Sequence, residues 1–291
     1  MDSICLLHTL AMFWKTGQST FTLSAFHVNH GISPNSALWE AFCRGFCEHL
    51  SIPFAAECFS VERGSKDGLE AAARRVRHAA FARFDAEWVM LAHHREDQAE
   101  TLLFNLLRGT GTSGARAMAE RNGKLLRPLL SVSRAEINRY AELHGLEWVE
   151  DESNVDTRHS RNFLRQKIFP TLTQRFPAAA RNLAGAAARF ADAHDLLDDL
   201  ARHDLGDEDD FPLNIARLRL MDERRARNVL RFLLNKRGVR IPSESRLREG
   251  FRQMLEAAAD RHPAMEFGPH RLVRQRGRIY LDPIDELPDS T

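Results

Sequence analysis

Residues 88–114 read W-V-M-L-A-H-H-R-E-D-Q-A-E-T-L-L-F-N-L-L-R-G-T-G-T-S-G. The apolar run 88–92 is short enough for a buried parallel strand, and it breaks at His93-His94 into a helical period. Ala99, Leu102, Leu103 and Leu106 fall at i, i+3, i+4, i+7 and form a buried stripe, while Asp97, Thr101, Asn105 and Arg108 climb another face. Strand, turn and helix therefore follow in order. Ligands of open α/β sheets sit outside the carboxyl ends of strands, where His93, His94 and Asp97 fall. Taken singly, these residues also suit an ordinary helix start, with Asp97 complementing the helix dipole.

Upstream, 21–28 reads as a strand ending in H-V-N-H-G at 27–31. A helix opened by Ser33-Pro34 runs to about residue 50, and 52–59 is a further strand. A polar loop at 62–68 leads to a helix at 69–84, where Glu70 and Arg74 are an i,i+4 pair and Arg77 is next on that side. Strand–helix alternation with this spacing predicts an α/β domain with a doubly wound parallel sheet. The chain opens on an amphipathic helix with Asp2 and Ser3 at its start.

Downstream, Gly109, Gly111 and Gly114 mark a flexible cover for the site. Pro128 in L-L-R-P-L-L argues against a central strand at 125–130, and Ser133 with Glu136 is spaced as a capping box for a helix to about residue 144. After the turn formers Asp151, Ser153 and Asn154 come Arg158, Arg161 and Arg165, at i, i+3, i+7 on one predicted helix face. Lys167, Arg175 and Arg181 extend the positive strip that phosphate contacts require.

Beyond residue 177 the pattern changes to long helices: an alanine-rich one at 178–203, an acidic linker at 206–210, then helices at 221–236 and 246–259. Residues 271–281 alternate as a terminal strand or hairpin half. The predicted division is 1–176, α/β, and 177–291, a smaller mainly helical domain.

Hydrophobic content of 43% and charged content of 28% are those of a globular protein, with no apolar run of membrane-spanning length and no basic leader, so the expected compartment is cytoplasmic. Cys5, Cys43, Cys47 and Cys58 fit buried thiols in a reducing compartment better than a disulfide framework. A net charge of +1 does not announce a nucleic-acid binder, so charge distribution has to decide.

The string A-H-H-x-x-D-Q-A-E-T-x-L-x-x-L-x-R-G-x-G-x-x-G, at 92–114, closely resembles the signature of the tRNA(Ile)-lysidine synthases, a branch of the PP-loop ATP pyrophosphatases. H-V-N-H-G at 27–31, the E-x-A-A-R-x-x-R-Y-like helix and the W-x-x-D-x-S-N…R-N-x-x-R order resemble the same family. His78 departs from its usual tyrosine, and Ala115 from its usual G-L-x-x-M. Of the phosphate-loop signature S-G-G-x-D-S only the last half matches, with Met1 at the variable position, then Asp2 and Ser3. The resemblance implies a sheet lacking its first strand, a chain truncated within that loop, and no residues for the last C-terminal domain.

What the resemblance implies is ATP-dependent ligation of lysine to carbon 2 of the wobble cytidine of a CAU-anticodon tRNA(Ile), through an adenylated tRNA. ATP and Mg²⁺ are the implied cofactors. The partners are that tRNA and free L-lysine, with no membrane and with a second copy of the chain carried as a candidate homodimer. Asp2 and Asp97 are implied for the metal, and with Glu100 for the lysine ammonium; Ser3, His27, His30, Arg74 and Arg77 for ATP; His93, His94, Asn105 and Arg108 for the reacting centre; and Arg158, Arg161, Arg165 and Lys167 for tRNA. The alternatives are a thiolating PP-loop enzyme, which a missing C-x-x-C disfavours, and a non-catalytic tRNA-binding fragment. Without the loop's backbone N–H donors, the chain is expected to bind ATP weakly and to form little lysidine.

Overall fold

Two parallel strand pairs carry the first half of the chain. In the computed structural model, which describes residues 1–17, 20–29, 33–59, 69–150, 156–239, 241–258 and 261–284, β1 (Ala25–Asn29) pairs with β2 (Phe54–Cys58) in register Ala25 to Phe54. β3 (Val89–Met90) pairs in parallel with β5 (Leu125–Leu126), which also takes β4 (Arg121–Asn122) antiparallel, in the order β3-β5-β4. Helices alternate with these strands: α1 (Asp2–Lys15), α2 (Ser36–Leu50), α3 (Leu69–Arg83), α4 (Arg95–Leu107), α5 (Thr112–Ala115) and α6 (Arg134–Leu143). The α/β expectation is met, and α4 begins one residue after His94.

A central strand does form in 125–130, against the expectation from Pro128. β5 lies between two neighbours in its sheet but ends at Leu126, before the proline, so no ladder donor is lost. α1 packs against two elements. Ala11 joins Cys47, Leu50 and Ile52, and Cys5 joins Ile137 and Ala141 of α6, donating its thiol to the Ile137 carbonyl at 3.7 Å. The Cys47 thiol, buried in that contact, is pushed up to about 11. Ser133 caps α6 as its spacing predicts: its hydroxyl accepts from the Glu136 N–H at 3.2 Å, and the Glu136 carboxylate accepts from the Ser133 N–H at 2.8 Å. Ser133→Ala is expected to cost about 1 kcal/mol. Amide hydrogen exchange would show it as faster exchange in the first turn of α6, with α2 unchanged.

The chain divides into two compact units, 1–191 and 192–291. In the first, α7 (Ser160–Phe163) runs into a π-helical segment (Leu164–Ile168) and then α8 (Phe169–Arg175). α9 (Ala179–Leu205) follows. The second unit has β6 (Leu213–Asn214), α10 (Ile215–Leu220), α11 (Glu223–Lys236), α12 (Glu244–Glu256), β7 (Ala264–Phe267), β8 (His270–Gln275) and β9 (Arg278–Pro283). Residues 271–281 prove to be most of a hairpin in a four-stranded antiparallel sheet of order β6-β9-β8-β7. Arg276 and Gly277, both at positive φ, make its two-residue turn, the pairing that type I′ geometry needs. One core fills this unit: Leu230, Leu233 and Leu234 of α11 meet Leu247, Phe251 and Met254 of α12 over Leu272 and Ile279. The buried Arg274 caps α12, donating to the Met254 and Ala257 carbonyls at 3.0 and 2.6 Å.

Candidate active site

The site is built where β3 gives way to α4. His94 is extended (φ −122°, ψ −178°) as the N-cap, and its N–H donates to Asp97 Oδ2 at 3.0 Å, so an acid three residues on closes the first turn. The His94 ring is buried at 2% exposure. Its Nδ1 lies 3.0 Å from Glu96 Oε2, which also accepts the Arg134 N–H at 2.8 Å, and its Nε2 faces Asp97 Oδ2 at 3.5 Å and Asp2 Oδ2 at 3.9 Å. Asp2 arrives from the first turn of α1, and its Oδ1 is buried with no hydrogen-bond partner among the described residues.

One turn along α4, Glu100 is 5% exposed and receives Arg165 in a bidentate pair, Nε to Oε1 at 2.8 Å and Nη2 to Oε2 at 2.7 Å. The same Nη2 donates to Asp97 Oδ1 at 2.7 Å. Four carboxylates thus surround one guanidinium and one imidazole. Burial alone would lower the His94 pKa, but the Glu96 hydrogen bond and the Asp97 and Asp2 carboxylates raise it. Burial likewise opposes ionisation of Glu96, yet His94 and the Arg134 N–H hold its carboxyl below the usual range. Burial pushes Glu100 up against the guanidinium, while the Glu100 hydrogen bonds hold Arg165 charged. The fork geometry is that of an ion pair.

The structure therefore brings together Asp2, His94, Asp97, Glu100 and Arg165. His93 stands next to them in the chain, half-buried before α4. Asn105 and Arg108, expected at the reacting centre, lie elsewhere: the helical rise of α4 sets them about 12 and 16 Å beyond Asp97. Asn105 donates to the Gly114 carbonyl at 2.8 Å and so ties down the glycine loop. Ser3 is exposed on α1, and His27, on β1, stacks on Phe54 at 6.5 Å with its pKa lowered by burial. Arg77 is exposed on α3, while His30 and the Arg74 side chain lie outside the described residues.

The predicted common face of Arg158, Arg161 and Arg165 does not form. The helix starts at Ser160, after Arg158, and its π turn changes the angular step. Arg158 instead grips Asp156 from the preceding turn at 2.7 Å, Arg165 turns inward, and Lys167 is exposed. Two residues went unremarked in the sequence. Glu96 sets the ring of His94. Gln98 is buried and clasps Met118 through both backbone groups, at 2.8 and 2.9 Å, fixing the segment after the glycines. A recess of about 510 Å³ is lined by His8, Phe42, Phe46, His49 and His144 among others, and none of the site's residues borders it.

Residues 1–172 match the PP-loop domain family and residues 213–280 the TilS substrate binding domain. The tRNA(Ile)-lysidine synthases of Nitrosomonas europaea and Aromatoleum aromaticum are 41% and 42% identical, over 99% and 97% of this chain and 64% and 66% of theirs. That of Pseudomonas putida is 39% identical over 96% of this chain and 68% of its own. The chain belongs to the tRNA(Ile)-lysidine synthase family. It spans about two thirds of the length of those curated relatives. Asp2, His94, Asp97, Glu100 and Arg165 all fall within the family's PP-loop domain, and the core of α11, α12 and the antiparallel sheet falls largely within its substrate binding domain. A U34-tRNA thiolase from Methanococcus maripaludis, solved with its [4Fe-4S] cluster, shares the fold, with a TM-score of 0.52 at 18% identity over 65% of this chain and 68% of its own. Among the described residues no helix is long and apolar enough to cross a membrane.

Proposed function

We propose that this chain serves the lysidine-forming reaction of its family in the cytoplasm, with residues 1–176 as the catalytic part and 177–291 as the accessory part, and that these residues alone bind ATP weakly and form little lysidine. The wobble cytidine's O2 attacks the α-phosphorus of ATP and pyrophosphate leaves. The amino group of lysine then attacks carbon 2, AMP departs with that oxygen, and the amine gives up a proton. Activation is needed because a carbonyl oxygen leaves poorly and a phosphate leaves well. The observation that carries this reading is the cluster of Asp2, Glu96, Asp97 and Glu100 around His94 and Arg165. Its carboxylates outnumber its cations, and an ammonium or a metal ion would balance them.

Mg²⁺ is held through one or two carboxylates together with substrate phosphates, and it supplies charge neutralisation at the phosphoryl oxygens. Asp2 fits that demand, because its Oδ1 is buried and unpartnered. Asp97 fits only by releasing a partner, since Oδ1 accepts from Arg165 and Oδ2 from the His94 N–H. Among the described residues no three His, Cys, Asp or Glu side chains are grouped as a protein-only metal site. Asp97 and Glu100 are assigned to the lysine ammonium; Ser3, His27, His30, Arg74 and Arg77 to ATP; and His93 and His94 to the reacting centre.

The test supplies ATP and tRNA(Ile). AMP and pyrophosphate are expected to form slowly until lysine is added, with the tRNA then gaining one lysine in mass. Sulfur incorporation would return the thiolation reading, and tRNA binding without AMP release would make the chain a binding fragment.

A further inference from the structure

Three arginines were expected to form one basic strip, and the structure pairs two of them with carboxylates. Arg158 is held by Asp156, and Arg165 by Asp97 and Glu100. Arg161 is left, and among the described residues it has no carboxylate partner. Its guanidinium carbon lies 5.8 Å from the centroid of the Phe104 ring. Arg108, at the C-cap of α4, lies 5.1 Å from that same centroid and likewise pairs with no carboxylate among the described residues. Two like charges are thus gathered on one aromatic ring. An aromatic face attracts a cation without neutralising its charge. Phe163, two residues beyond Arg161, is 44% exposed and adds an aromatic surface.

We infer that Arg108, Phe104 and Arg161 form a phosphate clamp for an RNA strand, separate from the carboxylate cluster at the other end of α4. The inference rests on the proposed tRNA substrate and adds where its backbone is gripped. Guanidinium forks match phosphate oxygens, and neighbouring aromatic rings accept a base. The clamp joins Arg108, expected at the reacting centre, to Arg161, expected at the tRNA surface, in a single site. It lies two to three helical turns from Asp97, so an RNA held there leaves the carboxylates free for the reacting nucleotide.

The experiment measures binding of the whole chain to a CAU anticodon stem-loop RNA, and separately to ATP, across a salt series. Arg161→Ala and Arg108→Ala are each expected to reduce the slope of log K against log salt by about 0.7–0.9, the double variant by about twice that, with ATP affinity unchanged. Arg161→Lys keeps the charge but not the planar fork, so the slope should persist while affinity falls. Arg158→Ala should reduce the slope less than Arg161→Ala does, because a phosphate that reaches Arg158 must first displace Asp156. Circular dichroism checks the fold of each variant.

RNA binding by the parent chain with an unchanged slope in the double variant would overturn the clamp alone, as would equal slope losses for Arg158→Ala and Arg161→Ala. A slope lost for an acidic peptide but not for RNA would give the site to a protein partner and overturn the inference. No RNA binding by the parent chain would overturn the proposed function, and the clamp with it.

Discussion

Arg165→Ala is expected to destabilise the first unit by about 3 kcal/mol, the lower end for breaking a buried ion pair, because a third of the Arg165 side chain still meets solvent. The change leaves Glu100, whose side chain is 6% exposed, without its bidentate partner and strips Asp97 of a 2.7 Å donor. All four tryptophans, Trp14, Trp39, Trp88 and Trp148, lie within residues 1–191, so tryptophan fluorescence during urea unfolding reads this unit alone. The loss should depend on pH with a definite sign. Burial raises the folded pKa of Glu100, and without Arg165 only the weaker pull of His94 opposes that rise. The folded state then binds more protons than the unfolded one, so the variant loses stability as pH climbs from the unfolded value, about 4.3, through the raised folded value. The double variant Arg165→Met with Glu100→Leu, which removes both charges, should recover most of the loss. An Arg165→Ala protein as stable as its parent at pH 7 would mean that solvent already satisfies Glu100.

The strand, turn and helix at 88–114 were legible because their signals are local: an apolar run, a break at the histidines and a 3.6-residue stripe. Asp97 and Glu100 could be selected for the same reason, as acids one turn apart on one helix. Arg165 could be seen as a charge but not as a partner. It meets Asp97 across 68 residues of chain, and no spacing rule reaches that far. The π turn at 164–168 hid it further, since an ideal helix drawn through 158–165 puts three arginines on one face. Glu96 looked like one more acid in a first turn. Its role exists only because His94 and the Arg134 N–H arrive from different elements. The antiparallel sheet was half legible: β8 and β9 alternate and share a two-residue turn, whereas β6 and β7 are two and four residues long and carry too few positions to show a period.

α4 organises the first unit because its two ends have opposite electrostatic needs. Its first turn holds Glu96 and Asp97, which the helix dipole favours, with Glu100 one turn on, and its last residues lead to Arg108, a cation at the negative end. On the proposed reading, one thirteen-residue rod carries a cation-seeking site at one end and an anion-seeking one at the other. A reaction that brings an ammonium to a nucleotide on an anionic strand needs both polarities at a fixed separation. A single rigid helix supplies that separation without a loop.

His94→Gln should separate charge from shape at the centre of this arrangement. The imidazole is enclosed by Glu96 at 3.0 Å, Asp97 at 3.5 Å and Asp2 at 3.9 Å, and their pull raises its pKa despite burial. Glutamine retains donors and an acceptor but never a positive charge. For a histidine with a raised folded pKa, the added stability is fully present below the unfolded value, about 6.5, and is lost as pH rises through the folded value. The stability gap between parent and variant should therefore be widest near pH 6, roughly 1.5–3 kcal/mol for hydrogen bonds to a charged group, and should shrink towards about 1 kcal/mol at pH 9, where a neutral ring makes ordinary ones. Groups that do not face His94 titrate alike in both proteins and cancel in the difference, leaving Glu96 and Glu100 as the carboxyls His94 also shifts. Tryptophan-monitored urea midpoints at the two pH values give the gap directly. A gap that stays constant, or widens as pH rises, would show that His94 is neutral among its carboxylates and that Arg165 alone balances them.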